Sequence, residues 1–242
     1  MKSDLIPLLQ WYHEMGADVA VLDEPQNRFL AKQPSSPIIE KSMAAPVLSN
    51  HPASQCKTLE ELRQAMASFT GCALKETAMN MVFADGNPKA DVMLVGEAPG
   101  ADEDRLGKPF VGQSGQLLDK ALATVKLDRT RVYISNIIPW RPPGNRPPTT
   151  AEIAACQPFI EKHIELISPK VLILLGGVAA KTLLATTEGI VKLRGKWHSY
   201  RPTPTSSEIK TMATFHPAYL LRSPGQKAFV WRDLLAVERA LN

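Results

Sequence analysis

Four acidic residues crowd the stretch GEAPGADED: Glu97, Asp102, Glu103 and Asp104. Acids ahead of a helix serve as caps and dipole partners; the sharper reading is that one carboxylate works on a substrate. No histidine or cysteine lies at ligand spacing to these acids, while a Mg²⁺ site built from carboxylates alone stays open. The loop is not a phosphate cradle, because GEAPG lacks both the G-x-G-x-x-G and the G-K-[ST] patterns. Phe110, in KPFVG, is core if buried and a stacking platform for a planar ring if it faces a ligand.

Asn136 follows directly on an apolar run. Its carboxamide offers an acceptor and two donors, which match the N3–H and O4 of a uracil ring. A flipped amide matches cytosine instead, so discrimination needs a neighbour that locks the orientation. As a bland alternative, it is a turn asparagine. The following IIPWRPPGNRPP is stiffened by prolines and made basic by Arg141 and Arg146, which suits phosphate contact as well as a solvated charged loop. His216 ends another apolar run, and Pro217 keeps it extended. A histidine so placed can donate a hydrogen bond to an oxygen that gains negative charge. Leu220 and Leu221, with Arg222 behind them, suit an apolar wedge backed by a phosphate contact.

Elements that position these groups follow from periodicity. Short apolar runs predict strands over Val92–Val95, Val132–Ser135, Val171–Leu175 and Thr211–Phe215. Helical patterns lie over Gln116–Val125, Ala151–Ile167, Val178–Leu184 and Ala228–Leu241. The second begins on a capping box, Thr149 to Glu152, and Pro158 is expected to kink it. Alternating strands and helices imply an α/β fold: a three-layer α/β/α arrangement around a four-stranded parallel sheet, with its loops gathered at one edge. Ligands bind at such an edge.

Composition bounds the rest. With 242 residues, 44% of them apolar and 21% charged, the chain reads as one sizeable globular domain with an appendage. Its formal net charge of +4 permits a polyanionic partner without demanding one. The three cysteines are odd in number and widely spaced, which argues against a disulfide framework and for a reducing cytoplasm. The N-terminal stretch has neither the apolar run of a signal peptide nor the length of a membrane span. A short amphipathic helix is expected over residues 4–15, packing on the main body or docking onto another protein. A Pro/Ser/Ala-rich linker follows, so residues 1–57 read as appendage and 58–242 as the domain, opening on Thr58 as a helix N-cap.

Taken in order, GEAPGADED, KPFVG-x-SG-x-LL, SNIIPWRPPGNRPP, LLGGVAA, RGKW and FHPAYLLR resemble the uracil–DNA glycosylase superfamily, most closely family 4. The match runs from about Phe69 to the C-terminus. The resemblance implies a DNA repair enzyme that flips deoxyuridine out of the duplex and hydrolyses its N-glycosidic bond. Glu97 would stabilise the cationic sugar and orient water, with the Ala98 backbone helping to hold that water or the base. Glu103 would lie near C5 and exclude a thymine methyl. Phe110 would stack on the base, Asn136 would read its polar edge, and His216 would donate to O2. Leu220 and Leu221 would fill the vacated stack. The partner implied is uracil-containing DNA, bound by a monomer.

The resemblance departs in one respect. The family typically holds a [4Fe–4S] cluster on four cysteines. Here Cys72 and Cys156 keep two of those positions, while Phe69 and Trp140 stand at the others, with Cys56 the only spare thiol. A four-thiolate site cannot be completed within one chain, so no cluster is expected and the two rings should fill its space. The second loop has no histidine, so the covalent DNA trapping of a related subclass is not expected. No lysine of the matched motifs is taken as a Schiff-base nucleophile, which leaves out a lyase step. The competing readings are a catalytically silent DNA-binding module and a carboxylate–metal phosphoesterase.

Overall fold

The computed structural model describes residues 51–241. Its strands are β1 (Asp85–Gly86), β2 (Val92–Gly96), β3 (Val132–Asn136), β4 (Val171–Leu175), β5 (Trp197–Tyr200) and β6 (Ile209–Thr214). They form a six-stranded sheet in the order β1-β3-β2-β4-β6-β5. The inner four are parallel, as the apolar runs predict. The expectation of a purely parallel sheet is corrected at both margins, where β1 and β5 pair antiparallel to β3 and β6. Neither margin carries an apolar run. Asp85–Gly86 is only two residues long, and Trp197–Tyr200 is largely exposed.

Every residue of β2, β3 and β4 is buried, which requires cover on both faces. Successive side chains point to opposite faces, and the core divides accordingly. Val92, Leu94, Ile134 and Ile173 pack with Leu118 and Leu122 of α4 (Gln113–Ala123) and with Val230 and Leu234 of α9 (Lys227–Leu241). Met93, Val95, Leu172 and Leu174 pack with Leu62 of α1 (Leu59–Ser68) and with Phe159 and Ile160 of α5 (Thr150–Ile167). The α/β/α layering is therefore as expected.

Local signals set the helix starts. Thr58 accepts from the Glu61 amide at 3.1 Å, and Thr149 and Glu152 exchange bonds across the start of α5. That helix runs through Pro158 without interruption. Shorter helices complete the chain: α2 (Leu74–Thr77), α3 (Ala101–Leu106), α6 (Gly177–Leu183), α7 (Ile190–Leu193) and α8 (Pro217–Arg222). Packing starts ahead of Thr58, because Ala53 and Cys56 are buried in the same core as α1. The N-terminal helix and most of the linker lie outside the described residues.

The site follows from the strand order. After β2 the chain moves outward to β3 and then returns past β2 to β4. That reversal opens a crevice at the carboxyl ends of the strands.

Candidate active site

Glu97 follows β2 directly, and Asn136 is the last residue of β3, paired in register with Gly96. Beyond the strands the two chains stay tied: Ile137 N–H donates to Gly96 O at 2.9 Å and Ile138 N–H to Glu97 O at 3.0 Å. The carboxylate and the carboxamide therefore leave neighbouring strand ends into one cleft of about 600 Å³, a size suited to a small ring system. Burial pushes the Glu97 carboxyl above the ordinary carboxylate range.

Asn136 is 5% exposed, and its Oδ1 is buried with no hydrogen-bond partner among the described residues. A buried acceptor left unsatisfied is costly, and of the four such atoms among the described residues this is the one whose residue lines the cleft. Gly96 makes the arrangement possible. A Cβ there would come within 2.4 Å of Asn136 Oδ1 and 2.6 Å of the Phe110 ring, so this glycine lets carboxamide and ring approach one another.

Phe110 is 5% exposed and lines the same cleft. Its ring centroid lies 5.5 Å from that of His216, at 35° between planes. Phe110 thus packs in the core and also borders the cleft. Glu103 also borders the cleft, but its carboxylate is engaged by backbone: Oε1 accepts from Val111 and Gly112 N–H at 2.9 Å each, and Oε2 accepts from Gly100 N–H at 3.1 Å. Those bonds fold the loop back on itself.

His216 is the N-cap of α8, and its Nδ1 accepts from Ala218 N–H at 3.1 Å. An accepting Nδ1 puts the proton of the neutral ring on Nε2. Burial and then Arg222 push the ring's pKa down to about 4, against an opposing pull from Glu103, so the ring is neutral at physiological pH. Gly176, at φ 97°, gives it room: a Cβ there would lie 3.0 Å from the Cβ of His216. Carboxylate, unpaired carboxamide, aromatic face and neutral N–H donor converge on one space. Together they can bind a flat polar heterocycle and stabilise negative charge on it.

The family model of the uracil DNA glycosylase superfamily matches residues 83–235. The chain belongs to that superfamily. It is 37% identical over 181 residues to the type-4 uracil-DNA glycosylase of Sulfurisphaera tokodaii, a match covering 73% of this chain and 81% of the relative. The corresponding protein of Pyrobaculum aerophilum is 36% identical over 180 residues, covering 73% and 91%. That of Archaeoglobus fulgidus is 38% identical over 170 residues, covering 69% and 85%.

Around the rim of this glycosylase-family cleft stand Ala98, Arg146, Leu221 and Arg222. Arg146 holds Glu152 through both of its terminal nitrogens, at 2.9 and 2.6 Å. Arg141 donates to Asn145 Oδ1 at 2.7 Å and does not itself line the cleft. The expected pair of wedge leucines is corrected. Leu221 is 42% exposed, but Leu220 is 3% exposed and packs in the core with Phe215, Val230 and Leu234. Adjacent residues of a helix point about 100° apart, so one of the two must turn inward.

The cluster positions lie in the other core. Cys72 and Cys156 are 3% and 0% exposed; the thiol of Cys72, together with burial, pushes Cys156 up. Phe69 meets Phe159 edge-on at 5.1 Å, His51 sits 4.6 Å from Phe159, and Trp140 is 1% exposed. Cys56 points its thiol to Pro52 O at 3.4 Å. No group of three or more His, Cys, Asp or Glu that could hold a metal ion occurs among the described residues. A four-thiolate cluster does not fit this donor set.

Sequence reasoning passes over three contributors. Gly96 and Gly115 act through the absence of a side chain, and Arg129 acts on the carbonyls of Pro109 and Phe110. The glycines are visible within quoted motifs, whereas Arg129 lies outside any of them.

Proposed function

We propose that the protein is a monofunctional uracil–DNA glycosylase that flips deoxyuridine from DNA into this cleft and hydrolyses the bond between C1′ and N1. The observation that carries the reading is the buried, unpartnered Oδ1 of Asn136. Uracil carries a hydrogen on N3 to satisfy it, whereas cytosine presents a bare acceptor there. Phe110 supplies the stacking face. As the glycosidic bond breaks, its electron pair moves onto the base, and the proton-bearing Nε2 of His216 hydrogen-bonds O2 of the departing anion. The desolvated carboxylate of Glu97 faces the positive charge left on the sugar and accepts a proton from the water that adds to C1′. Glu103 then acts as much by shaping the loop as by crowding C5, since three backbone N–H groups hold it. The lining of the cleft contains no lysine, which fits hydrolysis without a Schiff base.

Leu221 serves as the wedge, with Arg222 and Arg146 at phosphates. The enzyme works without an iron–sulfur cluster, as a monomer, in a reducing cytoplasm that suits its free cysteines. A protein partner, if there is one, would dock through the N-terminal segment. Among the described residues no helix is long and apolar enough to cross a membrane.

The test is incubation with a uracil-containing oligonucleotide followed by alkali. Strand breaks at uracil, unchanged by EDTA and lost in Glu97→Ala, are expected. Tight DNA binding with no base released would leave a silent DNA-binding module instead. Stoichiometric iron in the purified protein would overturn the cluster-free assignment.

A further inference from the structure

Phe110 holds its backbone at φ 53°, the left-handed region that a bulky side chain rarely adopts. Something must hold it there. On the carbonyl side, Arg129 donates from Nη1 to Pro109 O at 3.2 Å and from Nη2 to Phe110 O. On the amide side, Glu103 takes the N–H groups of Val111 and Gly112. Gly115 clears the space, since a Cβ there would fall 1.6 Å from Phe110 O. Arg129 is itself aimed by Asp85 Oδ2 at 2.6 Å and Asp119 Oδ1 at 3.0 Å. Its side chain is 26% exposed, and its terminal nitrogens are directed at the turn rather than at the cleft.

We propose that Arg129 is a positioning residue for base excision, holding the left-handed turn that sets the Phe110 ring against His216. Released from the guanidinium, the Phe110 carbonyl loses its donor and the residue relaxes toward ordinary φ, swinging its ring off the base. Asp85 acquires a reason to exist at the sheet margin, because β1 brings a carboxylate to this cation. A lysine cannot replace it, having one point charge where a planar fork serves several acceptors. The inference rests on the uracil-excision reading.

The experiment is single-turnover excision of uracil by the full chain, with Arg129→Lys, Phe110→Ala and the double variant, each checked for native circular dichroism. Arg129→Lys should lower the rate of the chemical step up to about 10²-fold, as expected for misplacement on the order of 1 Å, and should change DNA affinity less than about 2-fold. In the Phe110→Ala background the same change should alter the rate less than about 2-fold, because its target is gone. Asp119→Asn, which loosens the guanidinium without removing it, should give the same pattern at about 3-fold. A full-sized Arg129 effect without the Phe110 ring, or a parent-like Arg129→Lys, overturns the inference alone. A parent that excises no uracil overturns the functional reading and the inference with it.

Discussion

Two buried regions flank β2: one opens on a cleft and the other is packed with rings. At the cleft, Asn136 keeps an acceptor out of contact with any described donor, Glu97 is partly desolvated, and His216 lies against Phe110. Around Cys72 and Cys156, buried rings pack together: Phe69 lies edge-on against Phe159, His51 lies against both, and Trp140 is fully enclosed. The first arrangement leaves polar groups facing a cleft, which suits the proposed binding of a base. The second is packing of rings around His51, whose Nε2 is also buried without a partner among the described residues. The ring-packed region keeps two of the four cluster cysteines, Cys72 and Cys156, both buried, whereas the other region opens on a cleft.

The contrast is broken most directly at the cleft. Asn136→Ala or His216→Ala should lower the rate of uracil excision about 10²–10³-fold each, with thermal unfolding close to that of the parent for Asn136→Ala and a modest loss for His216→Ala, which also removes the cap of α8. Gly96→Ala should do comparable damage by driving the carboxamide and the Phe110 ring apart. A drop in melting temperature without a rate defect would show that these positions serve folding instead.

Trp140→Ala should do the reverse, costing about 3–5 kcal/mol of stability in chemical denaturation while the protein that remains folded excises at the parent rate. If Trp140→Ala lowered the rate and spared stability, the ring would belong to the reaction, and the comparison would fail.

Acid sharpens the comparison. Burial pushes the His163 ring down to about 3 and that of His216 down to about 4, from 6.5. Both folded values lie below the unfolded one, so the unfolded chain binds more protons as pH falls through 6.5. Stability is full above that pH and declines toward about 3 for His163 and about 4 for His216, at up to about 1.4 kcal/mol per pH unit for each ring. His163→Gln should flatten the slope seen by chemical denaturation between pH 6 and pH 4, and an unchanged slope would exclude the buried ring as its source.

The smallest effect is at the rim. Arg146→Ala should reduce the slope of log affinity for DNA against log salt by about 1. It should leave excision of saturating substrate nearly unchanged, and a large loss of rate would place Arg146 in the chemistry.

Much of this was legible from residues alone. The inner strands announce themselves because burial on both faces forces unbroken apolar runs, and Glu97, Asn136 and His216 are marked by standing where such runs stop. The margins were not legible. Asp85–Gly86 is held by pairing with β3 rather than by any pattern of its own, and Trp197–Tyr200 is too exposed to show alternation. The inward turn of Leu220 depends on how the short α8 is rolled against α9. Arg129 could not be read at all, because what it binds is backbone, and backbone carries no residue identity. Glu103 was legible as important but not for what it touches.

His216 joins two jobs that acid would end together. Its Nδ1 holds the first turn of α8 through Ala218 N–H, and protonation of that nitrogen replaces an acceptor with a second donor facing the same hydrogen. The amide is then orphaned and the turn loosens. Leu221 and Arg222 ride on that turn. If Leu221 and Arg222 grip DNA as proposed, acid inactivation should register as release of DNA as well as loss of turnover.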